Sequence, residues 1–162
     1  MRGFFRYTLS RKGWIVGPRI LHWPSSALSK TGYLPVMKTD VTLENLTAKR
    51  RIVIETKFTD ALVVGPDYGK NEPTLNSGYL YQLYTYLTSQ DRQDDPIADH
   101  AEGILLFVQT FGSQPFTEET EIQGHRMRFM SVDLGATPAE IRARWMQCVT
   151  PVDKVGVVVP PE

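Results

Sequence analysis

The sequence predicts a mixed α/β domain, a central sheet with helices on its faces. Three observations carry this. The run GILLFVQT at 103–110 is continuously apolar up to Val108 and of strand length, the pattern of a strand buried on both faces. Upstream, TDVTLENLTAKRRIVIETKF at 39–58 reads as two extended segments joined by a tight polar turn. Between them, and again near the C-terminus, apolar residues recur at helical spacing. The order is then hairpin, helix, buried strand, strand, helix.

Taken in order, GFFRYTL has no capping residue ahead of it and resembles the end of an amphipathic helix, so residues 1–13 are expected to be the end of a truncated N-terminal helix. GWIVGPRILHW reads as two short extended pieces broken at Gly17-Pro18, and PSSALSKTGYLP as a loop. PVMKTDVTLEN and RRIVIETKF are the hairpin strands, with the turn at Leu46–Lys49. TDALVVGPDYGKNEP is a long connection of the kind that is uncommon unless functional or mobile. The clearest helix runs from Thr74 to about Arg92, with Leu75, Tyr79, Leu83 and Tyr86/Leu87 in period and Thr74 or Asn76 as N-cap. RQDDPIADHAE is a polar break. EIQGHRMRFMSVDL supplies one or two strands around Gly124. TPAEIRARWMQCV is a second helix, with Thr137 as N-cap, Pro138 at its first position and Glu140 completing a capping box. Residues 149–162 form a tail.

With 162 residues the chain is expected to fold as one domain, 1–162. No apolar stretch reaches the length of a membrane span, and the basic N-terminus lacks the apolar core and cleavage site of a signal peptide. The single Cys148 excludes an intramolecular disulfide and a four-cysteine metal site, which fits a reducing cytoplasm. Net charge is zero, an argument against a generic nucleic-acid coat. Yet residues 1–57 hold 11 Lys/Arg against 3 Asp/Glu, while 58–99 hold 2 against 7. A basic face toward a polyanion is one reading of that asymmetry; a solvated surface is the other.

The hairpin places chemistry within this basic part. If Asn45 faces Arg50, Asp40 lies across from Glu55, with Cβ atoms roughly 5 Å apart. Alternation then puts Lys57 on the same face. Two opposed carboxylates destabilise a sheet unless a cation joins them, and hard oxygen ligands suit Mg²⁺, which keeps several waters and usually takes one or two carboxylates; Mn²⁺ is the alternative. The backbone carbonyl of Thr56 is a further candidate ligand. Lys57 could orient or deprotonate an attacking water. On the long helix, Gln82 and Tyr86 lie four residues apart on one face and could reach phosphate or sugar oxygens of a bound strand. Taken alone, each of these signals is also met by a salt-bridged surface hairpin and an amphipathic helix packed on a core.

In combination, a Thr-Asp strand, IVIETK and a helix with Q-x-x-x-Y resemble the PD-(D/E)xK nuclease superfamily in its RecB-like branch. More narrowly, LPVMKTDVTLEN, RRIVIETKF, LNSGYLYQLYTYL and AEGILLFVQT look like the C-terminal nuclease domain of McrC-type components of 5-methylcytosine restriction systems, from about Trp14 to Trp145. The resemblance implies a restriction-endonuclease-like fold and a Mg²⁺-dependent DNA endonuclease working in the cytoplasm with an McrB-like AAA+ GTPase. It assigns Asp40 and Glu55 as metal-binding acids, Lys57 as the catalytic lysine and Gln82 and Tyr86 as the helix motif. Thr39 stands where the superfamily has a proline, and residues 1–39 contain no Asp or Glu where many members carry an acid on a preceding helix. That departure favours the runner-up, a truncated, non-cutting nuclease fold that holds DNA or a partner. The region that docks onto the GTPase is not in this chain, and 5-methylcytosine is read by the partner in this family.

His22, His100 and His125 have no metal-ligand spacing among them, Cys148 reads as a buried thiol on a helix face, and Lys70, Arg50 and Arg51 as exposed cations.

Overall fold

The computed structural model describes residues 1–24, 32–59, 61–63, 73–91, 95–109 and 115–150. Their elements are α1 (Arg2–Leu9) with a 3₁₀ turn at Ser10–Lys12, β1 (Ile15–Gly17), β2 (Ile20–Leu21), β3 (Met37–Lys38), β4 (Val41–Asn45), β5 (Arg50–Lys57), β6 (Leu62–Val63), β7 (Thr74–Leu75), α2 (Ser77–Thr88), β8 (Glu102–Val108), β9 (Thr117–Ile122), β10 (His125–Val132) and α3 (Pro138–Met146). One mixed sheet organises them, in the order β1-β4-β5-β8-β10-β9. β8 pairs parallel with both β5 and β10, and the remaining neighbours are antiparallel. The strands richest in Ile, Val, Leu and Phe hold the middle, because only there are both faces covered.

Alternation along these strands feeds two separate cores. Ile52, Ile54, Ile104, Leu106 and Met130 pack beneath α1, around Phe5 and Leu9, with Ile141 and Trp145 of α3 against the same cluster. Val53, Leu105, Phe107, Met127 and Phe129 face α2, where Leu83, Tyr86 and Leu87 meet them. The chain is therefore a helix–sheet–helix sandwich, with β5 and β8 at its centre. Among the described residues, no helix is long and apolar enough to cross a membrane.

The hairpin has the expected register: Asn45 faces Arg50, and pairing continues to Val41 opposite Ile54. Its turn is held by the Asn45 side chain, which accepts from the Ala48 amide at 2.9 Å. β9 and β10 are joined by Gln123 and Gly124, both at positive φ (51° and 83°), as two-residue hairpin loops of the primed type require. The α3 capping box forms as read: the Thr137 hydroxyl accepts from the Glu140 amide, and the Glu140 carboxylate accepts from the Thr137 amide at 2.8 Å.

Several expectations need correction. PVMKTDVTLEN is not one strand; it breaks at Thr39–Asp40 into β3, which pairs with β2, and β4, which pairs with β1 and β5. The break is fixed from a distance: the Thr39 amide donates to the Arg19 carbonyl and the Thr39 hydroxyl accepts from the Arg19 amide. The long helix starts at Ser77, not Thr74, because Thr74 and Leu75 are drawn into a ladder with Val63 and Leu62; Asn76 is the N-cap. It ends at Thr88, four residues short of Arg92. β9 begins at Thr117, earlier than the strand read from Glu121. Cys148 is buried but follows α3 instead of lying on it, and burial raises its thiol to about 11.

Arg50 and Arg51 are not exposed turn charges. Arg51 is 5% exposed and bonds Glu44 and Asp95, while Arg50 pairs with Glu102 and donates to the Val149 carbonyl. With Arg19 on Glu44 and Lys57 on Glu55, four of the eleven cations of residues 1–57 are neutralised internally. Part of the charge asymmetry is thus pairing between early cations and later acids, Arg51 with Asp95 and Arg50 with Glu102. Lys70, most of the long connection (60 and 64–72) and the tail 151–162 lie outside the described residues.

α2 sits close on β8 because residue 103 is glycine. A Cβ there would lie 2.8 Å from Leu87 Cδ1 and 3.1 Å from Leu83 Cγ. Gly103→Val should therefore push α2 off the sheet and destabilise the protein by roughly 1–3 kcal/mol, read as a lowered midpoint in urea unfolding. An unchanged midpoint would contradict this packing.

Candidate active site

Three elements meet at the C-terminal end of β5. Glu55 and Lys57 leave the same side of the strand, toward α2, since their parallel partners Leu105 and Phe107 belong to the α2-facing core. Their side chains join directly, with Lys57 Nζ 3.0 Å from Glu55 Oε1. Lys57 Nζ also donates to Gln82 Oε1 at 2.7 Å. Gln82 Nε2 donates to the Tyr86 hydroxyl at 2.8 Å, and Tyr86 donates to the Lys38 carbonyl at 3.1 Å. Each donor in this chain faces an acceptor, from ammonium to amide oxygen, amide nitrogen to phenol, phenol to carbonyl. Four of the residues singled out in the sequence thus form one connected line.

Asp40 joins it through the backbone. Its position follows from the Thr39–Arg19 clamp, and the Thr39 hydroxyl is further held 2.9 Å from that of Thr42. Asp40 Oδ2 accepts from the Thr56 amide at 2.8 Å and the Thr56 hydroxyl at 2.6 Å. Asp40 is exposed, whereas Glu55 is 5% exposed. The Thr56 carbonyl, the third candidate oxygen, belongs to the residue between Glu55 and Lys57 and is therefore local to both acids. The helix motif works differently from expectation. Gln82 and Tyr86 do not stand free to meet phosphate; Tyr86 is buried, and both bonds they make hold Lys57 and the chain before Asp40.

Glu55 is the electrostatic oddity. Its Oε2 is buried and has no hydrogen-bond partner among the described residues. Burial raises its carboxyl above the ordinary value; the Lys57 hydrogen bond opposes this, the nearby Asp40 charge raises it further, and the Asp40 backbone N–H lowers it a little. A carboxylate with one partnered and one orphaned oxygen, beside a second carboxylate, fits a hard divalent cation. No cluster of three or more His, Cys, Asp or Glu side chains is assembled among the described residues.

The remaining candidates do other work. Glu44, on the same strand face as Asp40, is taken by Arg19 and Arg51. His125 is fully buried, with Nδ1 2.9 Å from the Ala101 carbonyl and Nε2 beside Asp91, which ties the start of β10 to the end of α2. Sequence reasoning missed two contributors, Thr39 as the anchor of Asp40 and Tyr79, whose ring centroid lies 4.8 Å from Lys57 Nζ.

The raised Glu55 carboxyl predicts a pH dependence. A raised folded-state value means that the folded protein binds more protons, so this group's contribution to stability is lost as pH climbs above the ordinary 4.5. In metal-free urea unfolding, wild type should lose stability relative to Glu55→Gln from about pH 4.5 upward, and saturating Mg²⁺ should recover the difference. A pH-independent gap would contradict the assignment. No known family model and no curated protein matches the chain.

Proposed function

We propose that this protein is a Mg²⁺-dependent phosphodiesterase acting on DNA, with a restriction-endonuclease-like fold of the PD-(D/E)xK type and an McrC-like role beside an AAA+ GTPase. The observation that carries the reading is the connected set Asp40, Glu55, Lys57, Gln82 and Tyr86 with its orphaned Glu55 Oε2. A salt-bridged surface hairpin has no need of a buried, half-partnered carboxylate, which costs free energy wherever it lacks a role.

Asp40 and Glu55 would hold the metal, with the Thr56 carbonyl as a third oxygen. Bound there, Mg²⁺ supplies neutralisation of phosphate charge and a more acidic water. The chain's own residues do the rest. Thr56 fixes the Asp40 carboxylate by two hydrogen bonds, which sets one ligand before substrate arrives. Glu55 keeps Lys57 beside the acids, and Gln82 pins it from the opposite side. Lys57 then presents positive charge to an attacking water and a scissile phosphate without searching for its position.

A second reading is favoured by two observations. Residues 1–39 offer no acid, and no third carboxylate joins Asp40 and Glu55 among the described residues. A fold with that ligand set could bind metal and DNA without cutting.

Supercoiled-plasmid nicking with Mg²⁺ or Mn²⁺ separates the two. On the nuclease reading wild type nicks, chelation abolishes nicking, and Asp40→Ala, Glu55→Gln and Lys57→Ala each lower the rate by roughly 10²–10⁴-fold. Wild type that retains DNA on a gel but leaves plasmid intact at high protein would establish the non-cutting module instead.

A further inference from the structure

Lys57 is surrounded on three sides, and two of them are the oxygens of Glu55 and Gln82. The third is the face of Tyr79, 4.8 Å from the ammonium nitrogen to the ring centroid. That distance is well within the range at which a ring quadrupole attracts a cation, and Lys57 is largely desolvated, with 13% side-chain exposure. The ring is itself fixed. Tyr79 lies three residues before Gln82 on α2, so both side chains leave the helix toward β5. Phe107, fully buried, packs against it with ring centroids 6.4 Å apart and planes tilted by 52°. Phe107 is also the β8 residue in register with Lys57. Three neighbouring elements thus bring Phe107, Tyr79 and the Lys57 ammonium together.

We propose that Tyr79 is a positioning residue for Lys57, an aromatic seat that holds the ammonium between Glu55 and Gln82 without adding a competing anion. The inference rests on the nuclease reading only for its catalytic consequence. A ring suits this position better than a carboxylate would: it attracts the cation but accepts no full hydrogen bond, so Lys57 stays directed at Glu55 and Gln82. The contact that Lys57 makes is with the ring and not the hydroxyl.

The test pairs an NMR observable with kinetics. The Lys57 ε-methylene protons should be shifted upfield by the ring in wild type and in Tyr79→Phe, and should return to the ordinary lysine position in Tyr79→Leu. In plasmid nicking, Tyr79→Phe should match wild type, while Tyr79→Leu should lose roughly 3- to 30-fold in kcat with KM unchanged. Tyr79→Met replaces the leucine variant if that one fails to fold. An unshifted Lys57 resonance in wild type overturns the proposal, whatever the nicking shows. So does a leucine variant that loses the shift and nicks like wild type. If wild type does not nick at all, the nuclease reading falls separately, and the resonance alone then decides whether Tyr79 seats Lys57.

Discussion

Burying a carboxylate at the end of an apolar strand sets the terms for everything around it. Glu55 follows Ile52, Val53 and Ile54 on β5 and is almost as buried as they are. An isolated ionised group there would cost several kcal/mol, so the structure surrounds it with a cation and fixes the cation in turn. Lys57 answers Glu55, Gln82 and the Tyr79 ring hold Lys57, Tyr86 holds Gln82, and the Lys38 carbonyl holds Tyr86. The line ends two residues before Asp40, the second carboxylate. Fold and site are coupled because α2 can reach β5 only where Gly103 permits close approach.

Local rules made part of this legible in the sequence. The Leu46–Lys49 turn sets the hairpin register, which runs to Val41 opposite Ile54 and so brings Asp40, one residue beyond the ladder, beside the end of β5, where its carboxylate meets Thr56. The unbroken apolar run of β8 announces a central strand, and the Thr137–Glu140 spacing announces a capped helix. What escaped depends on partners far along the chain. The β3/β4 break is made by Arg19, twenty residues away from Thr39, and the delayed start of α2 by Leu62 and Val63. Arg51 reads as an exposed turn charge until Asp95, 44 residues on, closes over it. Tyr79 reads as core because it does pack against the core; its contact with Lys57 shows only when β5 and α2 are brought together.

The same distinction bears on electrostatics. A basic first third of the chain suggests a polyanion-binding face, but Arg19, Arg50 and Arg51 are consumed by Glu44, Asp95 and Glu102. These pairs stitch β1–β2, β4, β5 and β8 together around the sheet centre. The charge of these three arginines is therefore spent within the fold, so the basic count of the segment overstates what it could offer a polyanion.

The central claim is that Asp40 and Glu55 together form a divalent-cation site. Paramagnetic broadening by substoichiometric Mn²⁺ in a backbone-assigned spectrum tests it most directly. The account predicts that the amides of Asp40, Glu55, Thr56 and Lys57 broaden first, that excess Mg²⁺ restores them, and that Asp40→Ala abolishes the effect. Broadening centred elsewhere, or none at these residues, would contradict it and leave Glu55 as a buried partner of Lys57 alone.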